Sequence, residues 1–186
     1  ACVDTNEYRY ESSTRTYAES VIICKALHLG GITPIFNIVI YSSYGRALKE
    51  VNNGKLHFMF GTSWREEAKL DNVFISSPFM RKGEFEKGFY TLPTNKKLLQ
   101  VKSLDELKEY TILSNEHYAI DWAALTKMGA RKYSVPLWSL MFKMLKAHHG
   151  DIVLAEFSPL WDMDIYDNDI RLVPIPGLKI TLNSSR

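Results

Sequence analysis

Thr62-Ser63-Trp64-Arg65 is the stretch of this chain best equipped for chemistry. Ser63, with Glu66 three residues on, can cap a helical turn, and the unpaired backbone N–H groups of such a turn favour an anion. Arg65 adds a planar guanidinium that matches a carboxylate through two parallel hydrogen bonds, and Trp64 adds an aromatic face. The same residues would serve equally as a capped surface turn with Arg65 paired to a nearby acid. Three more polar segments fall where a strand should end: Glu11-Ser12-Ser13, the loop 114–118, and Glu156-Phe157-Ser158. Open α/β sheets place ligands beyond the carboxyl ends of their strands, so all four segments are candidate ligand contacts. Trp122 follows the 114–118 loop and could line a cleft; equally, with Trp138 and Trp161, it could belong to the core or to contacts between lobes.

Other chemistries lack their patterns. The adjacent pair His148-His149 would point in different directions on a helix, and His28, His57 and His117 are scattered without a second ligand at useful spacing. There is no C-x-x-C, no H-E-x-x-H, no G-x-S-x-G, no G-x-G-x-x-G and no Walker loop. No metal or cofactor is therefore expected. Glu11 and Glu156 are an acid/base pair only if a cleft brings them together, so the chain is not read as an enzyme. Six acids without a Lys or Arg over 151–170 read as a solvated acidic loop.

Elements must hold these residues, and 186 residues suffice for one ordinary domain or two small lobes. Lys and Arg number 23 and Asp and Glu 21, so the net charge is +2, without the strong basic bias of a nucleic-acid binder. No apolar run approaches the ~18 residues of a spanning helix. Residues 7–11 read as a strand. Thr16-x-x-Glu19 is a capping box opening a helix that Gly30-Gly31 ends. Residues 36–41 read as a buried strand, 43–52 as a helix stopped by Asn53-Gly54, and 56–60 as a third strand, together a β-α-β-α-β run. Strand 89–92 follows. The pattern then restarts with a capped helix at 103–108, strand 110–113, helix 120–128, an extended 131–135 and strand 152–155. Between the last two, Leu137, Leu140, Met141, Met144 and Leu145 form an apolar stripe at helical spacing. Strand 170–173, a turn at 174–177 and strand 178–182 close the chain. The expected class is α/β, with lobe one at 1–90, lobe two at 91–173 and a return strand at 174–186. Cys2 and Cys24 are compatible with a disulfide, with two unrelated thiols, or with lipid attachment at Cys2. The opening Ala1-Cys2-Val3 carries no signal peptide and fits a cytosolic or a processed, exported chain.

In this order the motifs are familiar. Thr62-x-x-Arg65 followed by Ile75-Ser76-Ser77-Pro78-Phe79 resembles the "T-x-E-R … F-S-x-P-Y" stretch of the type II periplasmic binding proteins, the extracellular solute-binding proteins of the polar amino-acid class. Asn53-Gly54-Lys55-Leu56 is similar to their "G-x-x-D" approach, with His57 where an acid is usual. Val101-x-Ser103-Leu104-Asp105-Glu106-Leu107 is similar to their entry to lobe two, and Phe142 to Asp151 to their "L-x-x-G-x-x-D" junction. The resemblance spans about residues 7 to 182. It implies two α/β lobes, a hinge made by 89–92 and 173–179, and a ligand cleft between the lobes. It implies export to the periplasm or cell surface, a monomer, and a small polar or charged ligand, amino-acid-like, passed to a membrane transporter; the alternative is an extracellular sensing domain of a signalling protein. Arg65 would grip a ligand carboxylate, Thr62 and Ser63 would form the turn around it beside Trp64, Glu11 and Ser12 would stand in the first loop, and Glu156 would take an amine. Trp64, Phe58 and Phe60 are bulkier than the family's usual residues, as is the 114–118 loop. The family adds helices after the return strand, so the sequence reads as a truncated product or as a chain with a minimal lobe one.

Overall fold

The computed structural model describes residues 14–33, 35–37, 39, 41, 44–59, 72–74, 76–78 and 80–182, with the side chains of 14–18 and 44 excepted. These fall into two compact units, one of the described residues up to 59 with 72–74, the other of those from 76 to 182. The expected strand at 7–11 lies outside the described residues.

In the first unit α1 (Thr14–Leu29) starts two residues before the Thr16 capping box and ends where expected. Gly31 takes φ 79° there, and the N–H groups of Gly30 and Ile32 close onto the carbonyls of Ala26 and Leu27. Cys24 is buried on this helix, and Cys2 lies outside the described residues. Helix α2 (Tyr44–Asn52) buries Ala47 and stops at Asn53-Gly54, with Gly54 at φ 72°. The described residues of 36–41 and 56–60 form no strand, although a buried strand was expected at the first and a third strand at the second. Val39 is 52% exposed, and β-branched residues favour strands only where neighbours pack on them.

The second unit is a mixed six-stranded sheet in the order β3-β2-β4-β1-β6-β5. Its strands are β1 (Phe85–Thr91), β2 (Thr111–Ser114), β3 (Arg131–Ser134), β4 (Ile152–Glu156), β5 (Ile165–Asp167) and β6 (Ile170–Leu182). β2 pairs in parallel with β3 and β4, as βαβ crossovers require, through α3 (Ala119–Met128) and α4 (Trp138–Lys146). β1 runs antiparallel to β4 and β6, and β5 forms a hairpin with β6. Consecutive residues face opposite sides. Phe89, Ile112, Ile152 and Leu154 join Leu98, Leu107 and Leu125 on one face; Tyr90, Leu113, Val153 and Ala155 join Met141, Phe142 and Leu145 of α4 on the other. Both faces are covered, which is why these strands read as continuous apolar runs.

Two sequence expectations change here. Residues 174–177 are not a turn between strands but part of the single strand β6. The register slips between Gly88 and Tyr90, which pair with Lys179 and Pro174, so the extra residues of β6 bulge. Pro174, Pro176 and Gly177 (φ 77°) fit there because a bulge needs fewer ladder N–H groups. The Ser103 capping box does form: Ser103 Oγ meets Glu106 Oε1 at 2.7 Å and accepts the Glu106 N–H at 3.4 Å. It opens only a 3₁₀ turn (Glu106–Glu109).

Candidate functional site

Ser114 and Glu156 end the parallel strands β2 and β4 side by side in the sheet. The loop after Ser114 is tied down by its own polar groups. Asn115 Oδ1 accepts the His117 N–H at 2.9 Å, an Asx turn, and Asn115 Nδ2 donates to the Pro136 carbonyl at 3.1 Å. Val135 N–H donates to the Ser114 carbonyl at 2.7 Å, Glu116 N–H to Ser134 Oγ at 3.2 Å, and Tyr118 N–H to the Asn115 carbonyl at 3.0 Å. The amides of 116–118 are thus spent internally rather than left for an anion. Ser114 Oγ is buried and has no hydrogen-bond partner among the described residues.

Helix α3 then starts, with Tyr118 at its N-cap position and Asp121 in its first turn. Asp121 is 2% exposed, and its Oδ2 lies 2.5 Å from the Nζ of Lys87, whose side chain is 11% exposed. Asp121 Oδ1 is buried without a hydrogen-bond partner among the described residues. Lys87 lies on β1 directly opposite Glu156 of β4, so the two side chains share one face of the sheet. Burial pushes the Tyr118 phenol above its ordinary range, and the carboxylates of Asp121 and Glu156 push it further the same way. The phenol therefore stays a neutral hydroxyl near two carboxylates. An acid in the first turn also offsets the positive end of the helix dipole. Together these groups bring an ammonium, two carboxylates and a phenol to the carboxyl end of β4.

Of the residues singled out in the sequence, Glu156 is half-buried at the end of β4 within this group. Trp122 is half-buried on α3, with the Lys132 ammonium 4.5 Å from its ring centroid. Glu11, Ser12, Thr62, Ser63, Trp64 and Arg65 lie outside the described residues. Lys87 and Asp121 were not singled out, and Tyr118 only as the last residue of the 114–118 loop. Their signal was a charge set into apolar company: Lys87 in Phe85-Glu86-Lys87-Gly88-Phe89, Asp121 between Ile120 and Trp122. The loop after β4 is strapped by Tyr90, which donates to the Met163 carbonyl at 2.9 Å and accepts the Ser158 N–H at 3.3 Å. At its tip Trp161 is 93% exposed rather than part of the core. A separate open depression of about 390 Å³ between α4 and the β5–β6 turn is lined by the exposed pair Lys146–Asp169 and holds none of these groups. Among the described residues no helix is long and apolar enough to cross a membrane.

No family model and no curated protein matches the sequence. Solved structures do match. An ancestral arginine-binding protein bound to arginine is 18% identical with a TM-score of 0.51, over 73% of this chain and 58% of its own. A protein described as the binding component of an ABC transporter from Wolinella succinogenes, complexed with lysine, is 12% identical with a TM-score of 0.59, over 88% of this chain and 69% of its own. An arginine transport-system periplasmic binding protein from Legionella pneumophila is 15% identical with a TM-score of 0.51, over 89% and 72%. The chain thus spans less than two thirds of the length of the first of these. Its fold is that of the type II periplasmic binding proteins, an α/β architecture whose members have two lobes.

Proposed function

We propose that this chain is an exported solute-binding protein that captures a small polar or charged ligand, with Glu156 at the end of β4 as one of its contacts. The observation that supports this reading most is the convergence of Glu156, Tyr118, Asp121 and Lys87 at the carboxyl ends of parallel strands, where α/β sheets take ligands. The solved neighbours that carry arginine or lysine point to an amino-acid-like ligand. Arg65 would hold the ligand's carboxylate and Glu156 its amine. Thr62 and Ser63 would shape the turn around the carboxylate, with Glu11, Ser12, Trp64 and Trp122 as further contacts. The role is capture for a membrane transporter, without turnover of the ligand.

The test is a thermal-shift screen of the protein against the L-amino acids. A ligand at 100 times its dissociation constant stabilises by about 2.7 kcal/mol, a shift of several degrees for a chain of this size. Arg65→Ala abolishes the shift, and the ligand is recovered unchanged after prolonged incubation. Unchanged affinity in Arg65→Ala removes Arg65 from the site; a converted ligand makes the protein an enzyme.

A further inference from the structure

We propose that Trp161 is a ligand contact, the aromatic surface on which the ligand's side chain rests, and that Tyr90 is the positioning residue that presents it. The inference rests on the solute-binding reading and adds to it a residue and the kind of side chain the ligand carries.

The loop after β4 leaves the sheet at Glu156, the carboxyl end of a parallel strand, which is where α/β sheets take ligands. One fully buried side chain holds this loop at both ends. The Tyr90 hydroxyl accepts the Ser158 N–H at 3.3 Å and donates to the Met163 carbonyl at 2.9 Å. Between these points Ser158 Oγ accepts the Leu160 N–H at 3.3 Å, and the Leu160 carbonyl accepts the Met163 N–H at 2.9 Å. Beyond them Asp162 Oδ1 accepts the Asp164 N–H at 3.1 Å, and Asp164, itself buried, pairs with Arg171. Met163 takes φ 58°, a left-handed backbone that a residue with a Cβ adopts at a cost. So many bonds leave the loop one conformation, and that conformation sets an indole in the open. Trp161 is 93% exposed, with Leu160 and Met163 about half exposed beside it. Apolar residues grouped on one surface mark a contact, whereas a connection serving only to join β4 to β5 could carry polar residues there. An indole offers a face to an aliphatic stem, a second ring or a guanidinium. Because folding has already ordered this one, little freedom is lost when a ligand meets it. The ligand so assigned is an amino acid with a long or planar side chain, such as arginine, lysine, leucine or phenylalanine, rather than one as small as alanine.

Affinities for these five L-amino acids, measured by titration calorimetry on wild type, Trp161→Ala, Trp161→Phe, Tyr90→Phe and the double variant Tyr90→Phe/Trp161→Ala, test the assignment. Wild type is expected to bind at least one of the four larger amino acids about tenfold or more tighter than alanine. Trp161→Ala removes most of that preference while alanine changes by no more than about twofold, and Trp161→Phe retains it. Tyr90→Phe lowers the preference by about threefold, and the double variant is no worse than Trp161→Ala alone, because the clasp acts through the ring it presents. A clasp that is structural alone weakens alanine and the larger amino acids alike and adds its loss to that of Trp161→Ala, which overturns the role of Tyr90. Wild type without the preference, or Trp161→Ala with the preference intact, overturns the whole proposal, and both are readable even if Tyr90→Phe fails to fold. Binding of none of the twenty amino acids by wild type defeats the solute-binding reading itself; binding indifferent to Trp161 defeats only this assignment.

Discussion

Tyr90 is fully buried in the second unit, yet its hydroxyl reaches two backbone groups of the loop after β4. Burial pushes the phenol above its ordinary value of 10; the nearby Asp164 carboxylate adds to this, and the bond from the Ser158 N–H opposes it. A raised value in the folded state means that the unfolded chain gives up this proton first. The contribution is therefore whole below pH 10 and is lost as pH climbs through the folded value. Tyr118 acts in the same sense. Urea melts should show stability falling above about pH 10, and Tyr90→Phe should fall less steeply there. At neutral pH the same variant should cost about 1–2 kcal/mol and speed amide exchange at Ser158. Sequence alone did not single out Tyr90, Lys87 or Asp121, and it marked Tyr118 only as the end of a loop, because what distinguishes them is burial beside a charge or a carbonyl far along the chain. The place of Glu156 at the end of a strand was legible because it closes an apolar run in an α/β pattern. The candidate segment around Arg65 lies outside the described residues, so the affinity of Arg65→Ala is its measure.

Elements were easier to read than their faces. Helix α4 forms where the apolar stripe placed it, but the buried residues are Met141, Phe142 and Leu145, while Leu137 and Leu140 stay exposed. Phe142 was not in the stripe; it turns inward and meets Trp138 edge-on at 5.2 Å. β5 went unread because three residues carry little pattern, although Asp167-Asn168-Asp169 is turn chemistry and Asn168 does take φ 51°. The bulge in β6 was mistaken for a turn since Pro and Gly signal both. Close packing between elements gives a sharp expectation at Gly150. A Cβ there would fall 2.6 Å from Leu113 Cγ, on a side chain with no exposure. Gly150→Ala should cost about 1–3 kcal/mol in a urea melt, with the binding-site residues unaltered. Gly88 faces a similar limit, 2.6 Å from the Phe157 ring, though the rim of that ring has more room to give.

At the scale of the whole chain, the strongest core among the described residues is in the second unit, where Phe89, Tyr90, Ile112, Leu113, Ile152 and Val153 are sealed from solvent. Hydrogen–deuterium exchange should find its slowest amides in β1, β2 and β4, and faster exchange in α1 and α2, whose described residues bury little. Equal protection in α1 and β4 would refute this distribution. The α/β class was legible from alternating apolar runs and helix stops, and the solved neighbours share it; the antiparallel placing of β1 was not, since pairing partners lie some 65 to 95 residues away. The outermost strands have one more consequence. β5 is three residues long, and β3 is four residues long with an exposed Arg131. A bare strand edge is an invitation to polymerise, yet one of these offers too short a template and the other greets an identical neighbour with like charge. The sheet should therefore stay finite in dilute buffer, and concentrated salt, which mutes that repulsion, is the condition under which solutions of this protein should first turn cloudy.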